Sequence, residues 1–219
     1  MKFNVVQKVM KVNDELAAHN RTRLVEADVI AINMMSAPGS GKTSLIEAAA
    51  ERLKGRLALG VVEGDPETTL DAERISRCDV PVVQVQTAGG CHLEANLVGQ
   101  ALDHLPLQEL ELVIIENVGN LVCPVEFDLG ETVRVAVVST PEGHDKPAKY
   151  PKLFRKADLI VLNKIDLLPY LEFDIALFLD YLGRLNPEFT LIQTSCATGE
   201  GIAQWTDWLW ATASVPAIQ

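Results

Sequence analysis

The segment Ala37-Pro38-Gly39-Ser40-Gly41-Lys42-Thr43 sets two flexible glycines against a lysine and a hydroxyl at the start of a helical pattern. Glycines let the backbone close tightly, so that successive N–H groups converge on a phosphate, and a helix N-terminus adds its dipole. Gly39, Ser40, Gly41 and Ser44 build the cradle, Lys42 brings a point charge to the β and γ phosphates, and the Thr43 hydroxyl reaches Mg²⁺. The full phosphate-loop pattern begins with Gly, and Ser36 stands at that position. The competing reading is a plain glycine turn at a helix start.

Further along, Leu159-Ile160-Val161-Leu162 runs into Asn163-Lys164-Ile165-Asp166, an NKxD sequence at the end of an apolar run. A carboxylate at Asp166 accepts two N–H hydrogen bonds from guanine. Adenine lacks that donor pair on one edge, so the wrong base leaves the carboxylate unpaired. Asn163 holds the base edge and neighbouring loops, and the Lys164 stem lies over the ring. Four residues are a weak match alone, the bland reading being a polar turn with Asp166 capping a helix. Ile114-Ile115-Glu116-Asn117-Val118-Gly119 ends an apolar run in ExxG, where guanine nucleotide hydrolases commonly have DxxG. Glu116 is then the carboxylate near Mg²⁺, and Gly119 lets its backbone approach the γ-phosphate. Thr194-Ser195-Cys196-Ala197 is similar to the loop that backs guanine, which nominates Ser195, Cys196 and Ala197. In Glu63-Gly64-Asp65-Pro66-Glu67-Thr68, Asp65 is the candidate for holding Mg²⁺ or orienting the attacking water. Capping the next helix is an equal alternative for it.

Gly89-Gly90-Cys91-His92 and Val118-Gly119-Asn120-Leu121-Val122-Cys123 each follow a strand pattern. Both therefore reach the same side of a parallel sheet, with Cys91 and His92 expected to open a helix. Two thiolates and an imidazole from Cys91, His92 and Cys123 suit Ni²⁺ or Zn²⁺. Three donors leave a structural zinc site incomplete, which a symmetric dimer completes. Against this stands the ordinary cysteine, a small buried hydrophobe. Cys78 and Cys196 are assigned structural places, and His19, His104 and His144 the surface.

These residues need elements to hold them. Apolar runs suited to strands occur at Leu57 to Val62, Val80 to Val85, Leu112 to Ile115, Thr132 to Val138, Leu159 to Leu162 and Thr190 to Thr194. Helical patterns alternate with them at Thr68 to Arg77, His92 to Leu105, Glu172 to Leu185 and Gly201 to Ala211. Such alternation predicts an α/β fold with a mostly parallel central sheet and helices on both faces. Ligands then collect at the carboxyl ends of the strands. The stretch from Asn117 to Glu131 has no clean period, and a long loop in a compact domain is often functional. Ahead of this unit, residues 1–25 read as a helical segment with Val5, Val6, Val9, Val12 and Leu16 on its apolar face. Residues 26–219 read as one P-loop domain with an embedded metal site.

The chain has 219 residues, 48% of them hydrophobic, enough for one substantial core, and a formal net charge of −11. That balance argues against nucleic acid and anionic membrane as partners. Its apolar runs are too short to cross a bilayer. Met1 to Arg23 lacks the apolar core of a secretion signal. Reduced thiols and a cytoplasmic location are the expectation.

SAPGSGKTSL, EGDPETTLDAERI, GGCHLEANL, IIENVGNLVCPVEFDLGE and LNKIDLLP, in that order, resemble the HypB family, GTPases that assist nickel delivery to [NiFe]-hydrogenase. The third and fourth pieces, which carry Cys91 and Cys123, are the specific ones. The resemblance implies a SIMIBI-type P-loop NTPase domain and slow hydrolysis of GTP to GDP with Mg²⁺. It implies Cys91, His92 and Cys123 as a nickel or zinc site at a dimer interface. As partners it implies a HypA-like metallochaperone, a hydrogenase large-subunit precursor, and a nucleotide-dependent homodimer. Family members with an N-terminal CxxCGC or a histidine-rich tract bind or store nickel there, and this sequence carries neither. Three other readings compete. Urease-maturation GTPases are similar around the nucleotide but pair Cys-Pro-His. A scaffold that binds nucleotide without turnover is the second. An ATPase of the MinD or ArsA kind needs an early lysine where Ala37 stands.

Overall fold

In a computed structural model, residues 5–215 are described, with side chains from Val9 onward. Helix α1 (Val5–Glu26) precedes β1 (Ile30–Ser36), the phosphate loop and α2 (Lys42–Leu53). Then come β2 (Leu59–Asp65), α3 (Leu70–Ser76), β3 (Val82–Gln86), α4 (Ala95–Leu102) and β4 (Leu112–Glu116). The second half holds β5 (Val133–Ser139), α5 (Lys146–Lys149), α6 (Pro151–Lys156) and β6 (Leu159–Asn163). It ends with α7 (Ile175–Leu185), β7 (Thr190–Gln193) and α8 (Ile202–Ala213). Among the described residues no helix is long and apolar enough to cross a membrane.

The described strands form one sheet in the order β3-β2-β4-β1-β5-β6-β7, with every pairing parallel. Parallel strands covered on both faces need apolar residues at nearly every position, which is why they read as continuous runs. Strand alternation splits β1 between two cores. Ile30, Ile32 and Met34 pack with Leu45, Ile46 and Ala49 of α2 and with Trp205 and Leu209 of α8. On the opposite face Ala31 packs with Leu24 of α1 and Val98 of α4, and Met35 with Phe154 of α6 and Phe178 of α7. The chain leaves β1 toward β2 on one side and returns past it to β5 on the other. That makes the β1 carboxyl end a topological switch point, with a crevice for ligand.

Three expectations need correction. The buried stripe of α1 is Asn13, Ala17, Asn20 and Leu24, whereas Val9 and Val12 are 47% and 49% exposed. Val5 and Val6 have side chains outside the described set. The polar stripe docks because its amides meet backbone groups from distant segments. Asn13 Nδ2 donates to Asp128 O at 2.8 Å, and Asn20 Nδ2 donates to Ala95 O at 2.8 Å and to Leu129 O at 3.0 Å. Buried amides with full hydrogen bonding carry little penalty. Secondly, α4 begins at Ala95, so Cys91 and His92 lie in a loop before the helix instead of opening it. Asn13 Oδ1 accepts from Ala95 N at 2.9 Å, which satisfies one free donor of that helix start. Thirdly, α3 is confined to Leu70–Ser76, because the preceding residues are held in a turn by Asp65.

Candidate nucleotide pocket and thiol–imidazole cluster

At the carboxyl end of β1 the chain turns through Gly39 (φ 75°) and Gly41 (φ 100°), both left-handed. Gly41 has no alternative: a Cβ there would lie 2.4 Å from Asn163 Nδ2. That amide belongs to the NKxD segment and donates to Ser40 O at 2.9 Å, while Lys164 Nζ donates to Gly39 O at 2.7 Å. Two residues chosen for base recognition thus also splint the phosphate loop. Lys42 is buried, with Nζ 3.0 Å from Ser36 Oγ and 4.0 Å from Glu116 Oε1. The serine that departs from the pattern therefore supplies an acceptor for the lysine. Thr43 Oγ1 donates to Glu116 Oε1 at 2.8 Å. Gly119 approaches the loop from β4, where a Cβ would meet Pro38 Cα at 2.9 Å.

These groups line a cavity of about 410 Å³ shared by Gly39, Lys42, Thr43, Glu116 and Gly119. A second, of about 700 Å³, adjoins it at Gly41, Ser44 and Lys164 and is closed by Asn163, Asp166, Cys196 and Ala197. Ser195 Oγ donates to Asp166 Oδ1 at 2.5 Å, and Thr194 Oγ1 donates to Asn163 Oδ1 at 3.1 Å. Cys196 is half-buried against this loop, and burial raises its thiol pKa. A polar pocket joined to a flatter one, both of ligand size, fits phosphates and a base.

Two buried carboxylates face the first cavity. Glu63 and Glu116 are neighbours in register on β2 and β4, and each has one oxygen with no hydrogen-bond partner. Such orphaned oxygens beside a lysine and a threonine hydroxyl fit a hard cation such as Mg²⁺. Burial raises both acids, and for Glu63 the charges of Glu116, Asp65 and Asp71 add to it. Glu63 is pushed from the ordinary carboxylate value near 4.5 up to about 8. Its ligand atom clusters within 4.8 Å of those of Asp65 and Asp71. Asp65, the carboxylate favoured from sequence, spends Oδ1 on the N–H groups of Glu67 at 2.7 Å and Thr68 at 2.5 Å. It does not cap α3, whose N-cap is Thr69, but holds the turn ahead of it, and Glu63 is the buried acid.

A titration follows from this burial. A carboxyl whose folded pKa exceeds its unfolded one keeps its proton longer in the folded chain, so its contribution to stability falls as pH rises through the window between them. For Glu63 that window runs from about 4.5 to about 8. In urea unfolding without nucleotide or metal, the parent chain loses stability from pH 5 to 8, and Glu63→Gln flattens that slope. Equal slopes in the two proteins would remove Glu63 as the cause.

Arg74 of α3 also borders the first cavity, holding Glu47 through Nε at 3.1 Å and Ser44 Oγ through Nη2 at 3.1 Å. Sequence reading passed over this side chain, since its role depends on α3 lying against α2.

In the loops that follow β3 and β4, Cys91, His92 and Cys123 each offer a ligand atom within 4.8 Å of the other two. Cys91 Sγ is 3.5 Å from His92 Nδ1. The imidazole stacks on Phe127 at 4.0 Å and 25°, and burial lowers its pKa, which favours the neutral, metal-ligating form. Nε2 is buried without a hydrogen-bond partner, although Glu94 Oε1 lies 3.7 Å away. The Cys123 thiol is raised by its hydrogen bond to Cys91 and then by burial. Soft sulfur with imidazole suits Ni²⁺ or Zn²⁺. Cys78 lies elsewhere, half-buried against the core on the α2 face.

The CobW/HypB/UreG nucleotide-binding domain model matches residues 30–193. The hydrogenase maturation factor HypB of Azotobacter vinelandii is 48% identical over 207 residues, which cover 94% of this chain and 68% of that protein. Among solved structures, HypB from Archaeoglobus fulgidus superposes with a TM-score of 0.87 at 39% identity, over 93% of this chain and 100% of that one. HypB from Helicobacter pylori, solved in complex with nickel, gives 0.88 at 35% identity, over 92% and 94%. On this match and these relatives, the chain belongs to the HypB family, within the CobW/HypB/UreG nucleotide-binding domains.

Proposed function

We propose that this chain is a GTP-hydrolysing switch that binds nickel and passes it toward a [NiFe]-hydrogenase precursor. The observation that carries the proposal is the exit from β4. Glu116 and Gly119 border the phosphate pocket, and Cys123 follows within the same irregular loop. A shift at Gly119 therefore displaces a thiol donor. The family relationship supports the rest: relatives are named for hydrogenase maturation, and one was solved with nickel.

Guanine enters against Asn163, Asp166, Ser195, Cys196 and Ala197, and the phosphates lie along residues 39–44. Mg²⁺, held by Thr43 and Glu116 with Glu63 or Asp65 near, neutralises charge on the phosphates when bound. Lys42 brings a further positive charge to them, and converging loop N–H groups hold the phosphate oxygens in place. Phosphoryl transfer needs little else from a protein than such positioning. Nickel, and alternatively zinc, is cargo for Cys91, His92 and Cys123. Three donors from one chain leave room for those of a second copy, so a homodimer that forms with GTP fits the cluster. A HypA-like metallochaperone and the hydrogenase large-subunit precursor are the inferred partners, met in the cytoplasm.

The test is titration of the chain with Ni²⁺ and Zn²⁺ in the presence of GDP or a non-hydrolysable GTP analogue, followed by molecular mass. Metal stoichiometry and mass that ignore the nucleotide sink the switch. Base choice has its own test. Asp166→Asn replaces an acceptor with a donor against guanine N–H groups, so GDP affinity falls by about 100-fold or more. Binding of xanthine nucleotides, which present an acceptor there, improves. Unchanged GDP affinity would remove Asp166 from the base site.

A further inference from the structure

Leu93 directly follows His92 and is fastened to the nucleotide pocket twice. Its N–H donates to Asn117 Oδ1 at 3.1 Å. Its fully buried side chain sits over Gly64, where a Cβ would come within 2.8 Å of Leu93 Cδ1. Gly64 lies between Glu63 and Asp65, so the leucine is seated on the backbone that carries the acid cluster. A larger residue at 64 would evict it.

Asn117 is the other anchor. It is 1% exposed, borders the phosphate cavity and stands between Glu116 and Gly119. Its Oδ1 also accepts from Val118 N at 3.0 Å, and its Nδ2 donates to Asn33 Oδ1 at 3.1 Å. Two backbone donors on one oxygen fix which way the amide faces. The amide is thus committed to protein partners. Beyond Gly119, Asn120 Nδ2 donates to Cys91 O at 3.2 Å and its Oδ1 accepts from Val122 N at 2.9 Å. The segment 116–122 is therefore tied to both residues flanking His92.

We propose that Asn117 is a positioning residue that makes the Cys91–His92–Cys123 cluster respond to the phosphate pocket, with Leu93 as the part that moves. This rests on the switch described above and names its regulation. When residues 116–119 shift toward a terminal phosphate, the buried bond from Leu93 N–H either carries Leu93 along or leaves a desolvated donor unpaired. Carrying it along displaces His92 and Cys91 relative to Cys123. A soft divalent cation bound by all three donors is then held differently in the two nucleotide states. Linkage requires the reverse as well, with cation occupancy changing nucleotide affinity by the same factor.

The experiment uses NiSO₄ titrations of the full chain loaded with GDP or with a Mg²⁺-bound GTP analogue, for the parent and Asn117→Ala. In the parent the two nickel affinities differ by about fivefold or more. In Asn117→Ala that ratio falls to within about twofold of one, while GDP affinity stays near the parent value. A ratio in the variant equal to a large parental ratio overturns the proposal and leaves the switch standing. A parental ratio of one overturns both. Hydrogen exchange at the Leu93 amide in the unmodified parent guards against a variant that fails to fold. Protection that differs between the two nucleotide states supports the relay, and identical protection overturns it.

Discussion

Lys42→Ala lowers GTP turnover by on the order of 100-fold or more, the usual loss when one preorganised charge is removed from a transition state. Two features make the effect large here. Lys42 Nζ is buried and 4.0 Å from Glu116 Oε1, where its charge opposes the burial that raises that acid. Without it, the phosphate cavity loses its buried cation beside Glu63 and Glu116, and the phosphates lose the positive charge that meets them there. Ser36 Oγ also loses the group 3.0 Å away that holds its place. Single-turnover phosphate release measures the loss, with circular dichroism as the check on folding. Turnover within about tenfold of the parent would exclude the catalytic role. Parental turnover already as low as the variant's favours the nucleotide-binding scaffold.

Cys91→Ala weakens nickel binding by at least the 10- to 100-fold typical of losing even an outer-shell partner, and leaves GDP affinity within about twofold. Cys91 is exposed, so truncating it opens no cavity and costs little stability. His92 keeps its stack on Phe127 at 4.0 Å, so the imidazole remains in place and the effect belongs to the missing thiolate. Absorption in the thiolate-to-nickel charge-transfer region follows the change directly. The same substitution at Cys123 weakens nickel binding similarly, because two thiolates and one imidazole lie within 4.8 Å of one another. Unchanged nickel affinity in both variants moves the metal elsewhere in the chain.

The order of elements was legible because its signals are local. Strand β1, the loop and α2 are contiguous, and glycine, lysine and threonine act at fixed offsets along that one stretch. Buried parallel strands are apolar at almost every position, so β4 and β6 stood out as unbroken runs. Asn163 and Asp166, which line the second cavity, were singled out because a strand end and a short motif coincide. Ends of elements were harder. Helix α4 starts at Ala95 rather than His92 because Asn13, contributed by α1, caps it.

Side-chain roles that depend on a distant partner escaped. Asn13 and Asn20 carry the docking face of α1 through bonds to backbone 75 to 115 residues away, and no period marks an amide whose partner lies that far off. Asp65 and Glu63 are equal carboxylates in the sequence. The fold separates them, spending one on a turn and burying the other until its pKa reaches about 8. Arg74 and Asn117 gave no signal at all. By itself the sequence determined a phosphate-loop pattern, an NKxD segment and a set of soft donors, since each is a property of residue type and short spacing. Only tertiary structure decided that β3 and β4 flank β2, which gathers Cys91, His92 and Cys123 beside the acids of the nucleotide pocket. Strand order is set by how whole faces bury against one another, and no short stretch of chain contains that information.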